Sequence, residues 1–226
     1  SVKVMLYRKI RSYIDAHLRS NEDKILLIEG ARQIGKSYII RDVGTELYDN
    51  YVEINFVEDD AGDKIFRNVR TTEEFYLNLS MVAGFKLDKY ENTLVFIDEI
   101  QHYPQFLTML KFLRQEHRYR FICSGSLLGI ALKKTVSVPV GSIIPKKMYQ
   151  LDFEEFLIAN DFGEDAIVHL RKSFEQKQPL APEVHDKVLS LFKRYLLVGG
   201  MPDAVNEYLN SHNIVKVREA QESIRE

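Results

Sequence analysis

Residues 24–37 read Lys-Ile-Leu-Leu-Ile-Glu-Gly-Ala-Arg-Gln-Ile-Gly-Lys-Ser, which is an apolar run followed by a glycine-bounded loop. The run Ile25–Ile28 predicts a buried strand, and Gly30-x-x-x-x-Gly35-Lys36-Ser37 predicts a loop that opens a helix. A strand, a loop and a helix in this order are the structural context of a phosphate-binding loop, the Walker A motif. The stretch therefore predicts a site for a nucleoside triphosphate with Mg²⁺.

The residue types of this loop explain how it would hold phosphate. Gly30 and Gly35 let the backbone bend where a Cβ would clash, and successive N–H groups then form a nest for anionic oxygens. Lys36 brings a positive charge to the β- and γ-phosphates, Ser37 offers a hydroxyl to Mg²⁺, and the new helix adds its positive end. The predicted nucleotide-binding residues are Gly30, Ala31, Arg32, Gln33, Ile34, Gly35, Lys36, Ser37 and Tyr38.

The composition is that of an ordinary globular protein. The chain has 226 residues, of which 45% are hydrophobic and 28% charged, enough for one large domain and an appendage. Its net charge of −2 provides no global attraction for nucleic acid. No apolar run approaches the roughly 20 residues of a membrane span, and there is no secretory signal. With a single cysteine, Cys123, these features predict a cytoplasmic protein without membrane contact.

Strands and helices are predicted to alternate over the first two thirds of the chain. The predicted strands cover 24–29, 51–56, 93–98, 120–124 and 143–151. The predicted helices cover 2–19, 36–47, a segment through Phe75, Leu79 and Val82, and 104–117. This alternation predicts an α/β fold of the P-loop NTPase type, with a mostly parallel sheet and helices on both faces.

From Asp152 onward the pattern is helical. Asp152 is the expected N-cap of a short helix over 152–160, and longer helices are expected through Val184–Tyr195 and from Val215 to the end. We expect an α/β core over 1–151, with an N-terminal helix over 1–23, and a small α-helical lid over 152–226. The charged final helix looks interrupted, so we expect the lid to be truncated before a further C-terminal domain.

An acidic strand end supplies the second half of the predicted site, as in a Walker B motif. Leu94–Ile97 is continuously apolar, which is typical of a strand buried on both faces. Asp98 follows it, at the strand end where open α/β sheets bind ligands, and is predicted to hold Mg²⁺ together with Ser37. Glu99 is the predicted general base for an attacking water, so Glu99 and Lys36 are the predicted catalytic residues.

The strand over 120–124 ends in the small polar residues Ser124 and Ser126. This strand should lie beside the acidic one, where either serine could contact the γ-phosphate or the attacking water. A strand that simply ends in a turn of small residues explains the same pattern, and both interpretations stay open.

Several stretches, in order along most of the chain, match one family. The chain resembles the predicted AAA+ family ATPases of bacteria and archaea, close to the archaeal-type ATPases and the signalling NTPases. The resemblance rests on Gly30–Ser37, Phe96–Gln101 with Tyr103-Pro104, Ser124–Leu128, Leu151–Leu157 and Gly199–Pro202. It implies ATP as the nucleotide, Mg²⁺ as cofactor, and a C-terminal domain or protein partner beyond this region. Similar proteins carry such a domain, sometimes described as nuclease-like, and an oligomer is a further expectation.

One position departs from the pattern of these relatives. They often carry a Gly-Arg pair after the fourth strand, whose arginine is a candidate for stabilising transition-state charge, whereas this chain has Gly141-Ser142. Because such an arginine can contribute several powers of ten in rate, hydrolysis by this chain alone is in question. The candidate substitutes are Arg114, Arg118, Lys133 and Lys134.

The leading hypothesis is an AAA+-type P-loop ATPase that couples Mg-ATP binding and hydrolysis to movement of a helical lid and an attached domain or partner. One alternative is a nucleotide-gated binding module that hydrolyses little, and another is a small-molecule kinase, which would yield a phosphorylated product. A third is a DNA-associated switch, which the near-neutral charge does not favour.

Overall fold

The computed structural model describes residues 5–55, 65–87, 92–102, 104–126 and 140–225. These residues form two compact units. One unit spans residues 10–148 and is an α/β structure, while the other combines residues 5–9 with 149–225 and is helical. Among the described residues, no helix has both the length and the apolar character that a membrane span requires.

The α/β unit is built on a parallel sheet. Its strands are β1 (Ile25–Glu29), β2 (Asn50–Asn55), β3 (Thr93–Asp98), β4 (Arg120–Gly125) and β5 (Ile143–Lys147). Their order in the sheet is β2-β3-β4-β1-β5, and every described pairing is parallel. The carboxyl ends of β1, β3 and β4 therefore meet at one edge, with β4 between the other two. This confirms the predicted α/β fold with a parallel sheet.

Helices cover both faces of this sheet, as the apolar strands require. They are α1 (Ile10–Arg19), α2 (Lys36–Leu47), α3 (Thr72–Ala83) and α4 (Pro104–Glu116). On one face, Leu27 of β1 belongs to a core shared with α3 and α4, which includes Phe75. On the other face α2 packs closely, since a Cβ on Gly44 would lie 2.8 Å from the Tyr51 ring and 3.0 Å from the Leu94 side chain.

The predicted N-terminal helix over 2–19 is shorter than expected. In the described part of the chain it begins only at Ile10, because residues 5–9 belong to the helical unit. There Leu6 is buried in the core of that unit, and Arg8 pairs with Glu155 at 3.3 Å. The backbone N–H of Lys9 also donates to Glu155, at 2.8 Å. The regular spacing of apolar residues that predicted one helix therefore includes residues of two different units, Leu6 in one and the residues from Ile10 onward in the other.

The predicted strand over 143–151 is also too long, because β5 ends at Lys147. The N–H of Leu151 donates to the carbonyl of Gly200 at 2.7 Å, inside the helical unit, and so cannot extend the sheet ladder. Pro145 lies within β5 and has no N–H to donate, which suits the position of this strand at the sheet edge.

The helical unit contains α5 (Phe153–Ala159), α6 (Glu164–Glu175), α7 (Pro182–Val198), α8 (Pro202–Ser211) and α9 (Ile214–Arg225). Asp152 is the N-cap of α5, as its sequence predicts, and forms a capping box with Glu155. Pro202 opens α8 directly after the Gly199-Gly200 break. The core of this unit is formed by Leu6, Leu151, Phe156, Val198, Ala204, Val205, Tyr208 and Val217.

Gly200 gives a test of how tightly this break is packed. A Cβ at this position would lie 2.2 Å from the carbonyl oxygen of Leu151, a backbone atom that cannot move aside cheaply. We expect Gly200→Ala to lower the free energy of unfolding of the helical unit by about 1–3 kcal/mol, measured by urea denaturation followed by circular dichroism. The control is Gly163→Ala, where a Cβ meets no atom within 4 Å and the loss should stay below about 1 kcal/mol. Equal losses in the two variants would contradict the packing explanation.

Candidate functional site

The predicted phosphate loop connects β1 to α2 and is shaped by left-handed backbone. Gln33 has φ 64° and Gly35 has φ 97°, and alternation of this kind turns successive N–H groups toward one side. Gly30 is needed for a different reason, since a Cβ there would lie 2.5 Å from both Ile34 Cδ1 and the Met148 carbonyl oxygen. Gly35 is also the N-cap of α2 and has no side chain to accept from the first N–H groups of the helix. These groups are oriented for an anionic ligand.

The Lys36 side chain lies against the loop it follows. Its Nζ donates to the carbonyl oxygens of Gly30 at 2.8 Å and Ala31 at 2.5 Å, and the residue is only 4% exposed. Burial lowers the pKa of the Lys36 ammonium, and the charges of Glu99 and Asp98 partly oppose this shift. Burial therefore disfavours a charge that an anionic ligand would stabilise.

Asp98 is at the centre of the site. Its Oδ2 accepts from Ser37 Oγ at 2.8 Å and from Asn55 Nδ2 at 3.3 Å, and its Oδ1 accepts from Ser124 Oγ. Burial raises the pKa of the Asp98 carboxyl, while the hydrogen bonds from Ser124 and Ser37 act in the opposite direction. The Asp98 carboxylate therefore joins the start of α2 to the ends of β2, β3 and β4.

Glu99 follows β3 with φ 54°, in the left-handed region that residues with a Cβ seldom adopt. Its backbone N–H donates to Ser124 Oγ at 3.4 Å. Its side-chain Oε2 accepts from Ser126 Oγ at 3.0 Å and from Gln101 Nε2. The two adjacent carboxylates, Asp98 and Glu99, are thus directed to different partners.

The structure brings together most of the side chains that the sequence singled out. Ser37, Asp98 and Ser124 form one connected group, Glu99 and Ser126 form another, and Lys36 lies in the loop beside them. The other predicted loop residues that carry side chains differ in exposure. Ala31, Arg32, Gln33 and Tyr38 are exposed, and Ile34 is buried.

Sequence reasoning missed two polar residues of this site, Asn55 and Gln101. Asn55 ends β2 and pairs in register with Asp98, so its position at the end of a strand was a usable signal. Gln101 lies in a short 3₁₀ turn, Ile100–His102, directly after the acidic pair. The sequence predicts that the strand of Ser126 lies beside the acidic strand, but a glutamine in the turn after Glu99 carries no pattern that indicates a contact with this serine.

Arg114 and Arg118, the arginines proposed to replace the one missing at position 142, lie near the amino ends of the strands, opposite the phosphate loop. Arg114 contacts Asp23, before β1, at 3.1 Å and donates to Ser142 Oγ, before β5, at 3.2 Å. Because β1 has five residues, this edge is about 15 Å from the phosphate loop. Arg118, which stacks over Tyr76 at 4.5 Å, also precedes a strand start. Neither reaches this chain's own loop, and Lys133 and Lys134 fall outside the described residues.

The donor groups suit a magnesium ion that brings phosphate ligands with it. A hydroxyl and a carboxylate, Ser37 and Asp98, lie within hydrogen-bond distance and offer the hard oxygen ligands that Mg²⁺ prefers. The described residues contain no group of three or more His, Cys, Asp or Glu side chains that could enclose a metal by themselves. Mg²⁺ usually binds through one or two protein oxygens together with substrate phosphates.

The sequence pattern of the family described as "AAA domain" matches residues 22–157, which include the loop, the acidic pair and β4. The chain belongs to the AAA domain family. This assignment agrees with the resemblance found in the sequence and with the P-loop ATPase fold of the α/β unit. A search of curated proteins finds no match to the chain.

Solved structures support the same fold at low sequence identity. The Walker-type ATPase PABY2304 of Pyrococcus abyssi has a TM-score of 0.55 and 16% identity, with 97% of this chain and 72% of that chain covered. The Hsp104–ADP complex of S. cerevisiae has a TM-score of 0.54 and 14% identity, covering 98% and 32%. PCH-2 of C. elegans has a TM-score of 0.50 and 15% identity, covering 97% and 69%. This chain therefore spans about a third of the Hsp104 chain.

The burial of Asp98 predicts a gain in stability when its charge is removed. Because the pKa of this carboxyl is raised in the folded protein, the fold disfavours its ionised form. We expect Asp98→Asn to raise the free energy of unfolding at pH 7, without nucleotide, by about 0.5–2 kcal/mol, measured by urea denaturation. Asp49→Asn, at an exposed residue, is the control.

The same argument fixes the sign of the pH dependence. The folded parent protonates Asp98 at a higher pH than the unfolded chain does, so acidification relieves the cost of the buried charge. The advantage of Asp98→Asn should accordingly shrink as the pH falls through the raised pKa toward the ordinary value of 3.8. A variant less stable than the parent at pH 7 would show that hydrogen bonds to the carboxylate outweigh its burial.

Proposed function

We propose that this protein binds Mg-ATP at the loop Gly30–Ser37 and hydrolyses it. The observation that carries the proposal is the 2.8 Å hydrogen bond from Ser37 Oγ to Asp98 Oδ2, directly beside the glycine loop and Lys36. A hydroxyl at a helix start and a carboxylate at a strand end are the pair that holds Mg²⁺ in P-loop ATPases. Membership of the AAA domain family supports ATP as the nucleotide.

In this proposal the loop N–H groups and the start of α2 hold the phosphates. Lys36 Nζ exchanges its two carbonyl acceptors for β- and γ-phosphate oxygens, which neutralise the ammonium charge where carbonyls do not. Ser37 and Asp98 would hold the metal ion. When bound, Mg²⁺ supplies positive charge against the phosphate oxygens.

Hydrolysis would proceed by attack of water on the γ-phosphorus. The water oxygen forms the new P–O bond, the bond to the β–γ bridging oxygen breaks, and ADP leaves with that electron pair. Glu99 accepts the proton that the water releases. Ser124 and Ser126, at the end of β4, are the candidate sensors of the γ-phosphate because each contacts one of the two carboxylates.

We further infer that the helical unit acts as a lid whose movement is passed to an attached domain or partner. The chain enters this unit at two places, between residues 9 and 10 and between 148 and 149. Within the unit, the two connections are tied together, because Arg8 donates to the Tyr149 carbonyl and Lys9 Nζ pairs with Asp152 at 2.5 Å. Two joined connections favour rotation about a common hinge.

A second candidate function is a nucleotide-gated binding module that hydrolyses little. Ser142 stands where similar ATPases often have arginine, and its hydroxyl accepts from Arg114, which is itself paired with Asp23. Ser142 and Arg114 lie near the amino ends of the strands, away from the phosphate loop. A chain without such an arginine would bind ATP yet turn it over slowly unless a partner supplies the charge.

The binding proposal predicts a specific loss in Lys36→Ala. Removing the ammonium removes charge-assisted contacts to phosphate, so we expect ATP affinity to fall about 10- to 100-fold in titration calorimetry with Mg²⁺. Lys111→Ala, on the exposed side of α4, is the matched control and should bind as the parent does. Equal affinity in the parent and Lys36→Ala would remove the proposed site.

The catalytic proposal predicts a separation of binding from turnover in Glu99→Gln. The amide oxygen can still accept from Ser126 and Gln101, but it cannot take a proton from water. We expect ATP affinity to stay within about threefold and phosphate release to fall about 100- to 10,000-fold. Unchanged turnover would exclude Glu99 as the base, while undetectable turnover in the parent with tight binding would favour the gated binding module.

A further inference from the structure

We propose that Gln101 and Ser126 are positioning residues that fix the Glu99 carboxylate, so that one oxygen is held and the other is left to accept the proton of the attacking water. This inference rests on the proposed hydrolysis, because it concerns the same base. It assigns a role to Gln101, a side chain that the phosphate loop and the metal ligands do not use.

The geometry is a closed set of hydrogen bonds around one oxygen. Glu99 Oε2 accepts from Ser126 Oγ at 3.0 Å and also from Gln101 Nε2. The two donors are joined to each other, since Gln101 Nε2 lies 3.0 Å from Ser126 Oγ. The Ser126 backbone N–H donates to Gln101 Oε1 at 3.2 Å, which fixes which end of the amide faces Glu99.

Each member of this set is anchored in the backbone. Ser126 follows β4 and is only 3% exposed, and Gln101 lies in the 3₁₀ turn closed by the bond from His102 N–H to the Glu99 carbonyl at 3.1 Å. The left-handed backbone of Glu99 begins this turn. The rotamer of the glutamate is therefore determined by two elements, the turn after β3 and the end of β4.

Holding Oε2 has two chemical consequences. One N–H donor, from Gln101, and one O–H donor, from Ser126, occupy the lone pairs of Oε2. Oε1 is therefore the oxygen able to take a proton. A fixed carboxylate also avoids the loss of rate that accompanies a displaced base, because proton transfer requires hydrogen-bond distance to the water. Removing the donors should therefore misplace the base relative to the attacking water.

The spacing on β4 shows how this holding is coupled to the metal ligand. Ser124 and Ser126 are two residues apart, and they bond to Asp98 and Glu99 respectively. Between them, the Gly125 carbonyl accepts from the Gly30 N–H at 3.2 Å, which ties the same strand end to the phosphate loop. One short strand end thus holds the loop, the metal ligand and the base in fixed relation.

The test uses Gln101→Met, a side chain of similar length without an amide, and Ser126→Ala, in the full chain. We expect each to lower kcat about 10- to 100-fold while KM for ATP stays within about twofold. The two effects should be far from additive, since the donors share one acceptor. Gln115→Met, on the exposed face of α4, is the matched control.

The decisive comparison places Gln101→Met in the Glu99→Gln background. If Gln101 acts through Glu99, the residual turnover of Glu99→Gln should change less than about twofold when Gln101→Met is added. A further loss equal to that seen in the parent background would overturn the proposal, because Gln101 would then act on another group. A rise in kcat in Gln101→Met would also overturn it, because the contact would then be a brake.

A measurement without turnover separates this proposal from the proposed function. The ¹³C chemical shift of the Glu99 carboxyl, assigned by comparison with Glu99→Gln, can be recorded at pH 7 without nucleotide. We expect this signal to move in Gln101→Met and to stay in place in Gln115→Met, whether or not the parent hydrolyses ATP, because the carboxylate loses one of its hydrogen bonds. Identical chemical shifts in the parent and Gln101→Met would overturn the positioning role even where hydrolysis by the parent is established.

Discussion

The hydrogen bond between Ser37 and Asp98 depends on the whole sheet being correctly assembled. Ser37 begins α2 after β1, Asp98 ends β3, and β4 lies between these two strands. A slip of one residue in the register of β3 would turn Asp98 toward the other face of the sheet, and the same slip in β4 would turn Ser124 away from it. The buried residues that fix the registers, such as Ile97 opposite Cys123, therefore determine whether the loop has a carboxylate to face.

Burial of charge is the cost of this arrangement. Lys36 and Asp98 are 4% and 3% exposed. Burial lowers the pKa of Lys36 and raises the pKa of Asp98, so it favours the neutral form of each. Hydrogen bonds from Ser37 and Ser124 offset part of this cost at Asp98, while the acceptors described for Lys36 Nζ are two backbone carbonyls. A polyanion with Mg²⁺ would supply the missing opposite charges, so binding and stability should be strongly linked in this unit.

The sequence predicted what is local and missed what depends on pairing. The loop, the buried strands and Asp98 are recognisable because their residues are consecutive and their apolar pattern is continuous. Gln101 gave no such signal, because its contact with Ser126 joins residues 25 positions apart through the order of strands. The prediction of one helix over 2–19 was wrong for a related reason. The spacing of Leu6 and Ile10 predicts a buried face but does not indicate which core buries each residue.

The position of Arg114 shows why a motif can change without changing the fold. Its guanidinium contacts both Asp23 and Ser142, so it joins the segments that precede β1 and β5. A serine is small enough to leave room for an arginine from α4, and the charge is then paired with Asp23. The structural need at this edge is met, whereas any catalytic need at the opposite edge, about 15 Å away, must be met by other groups.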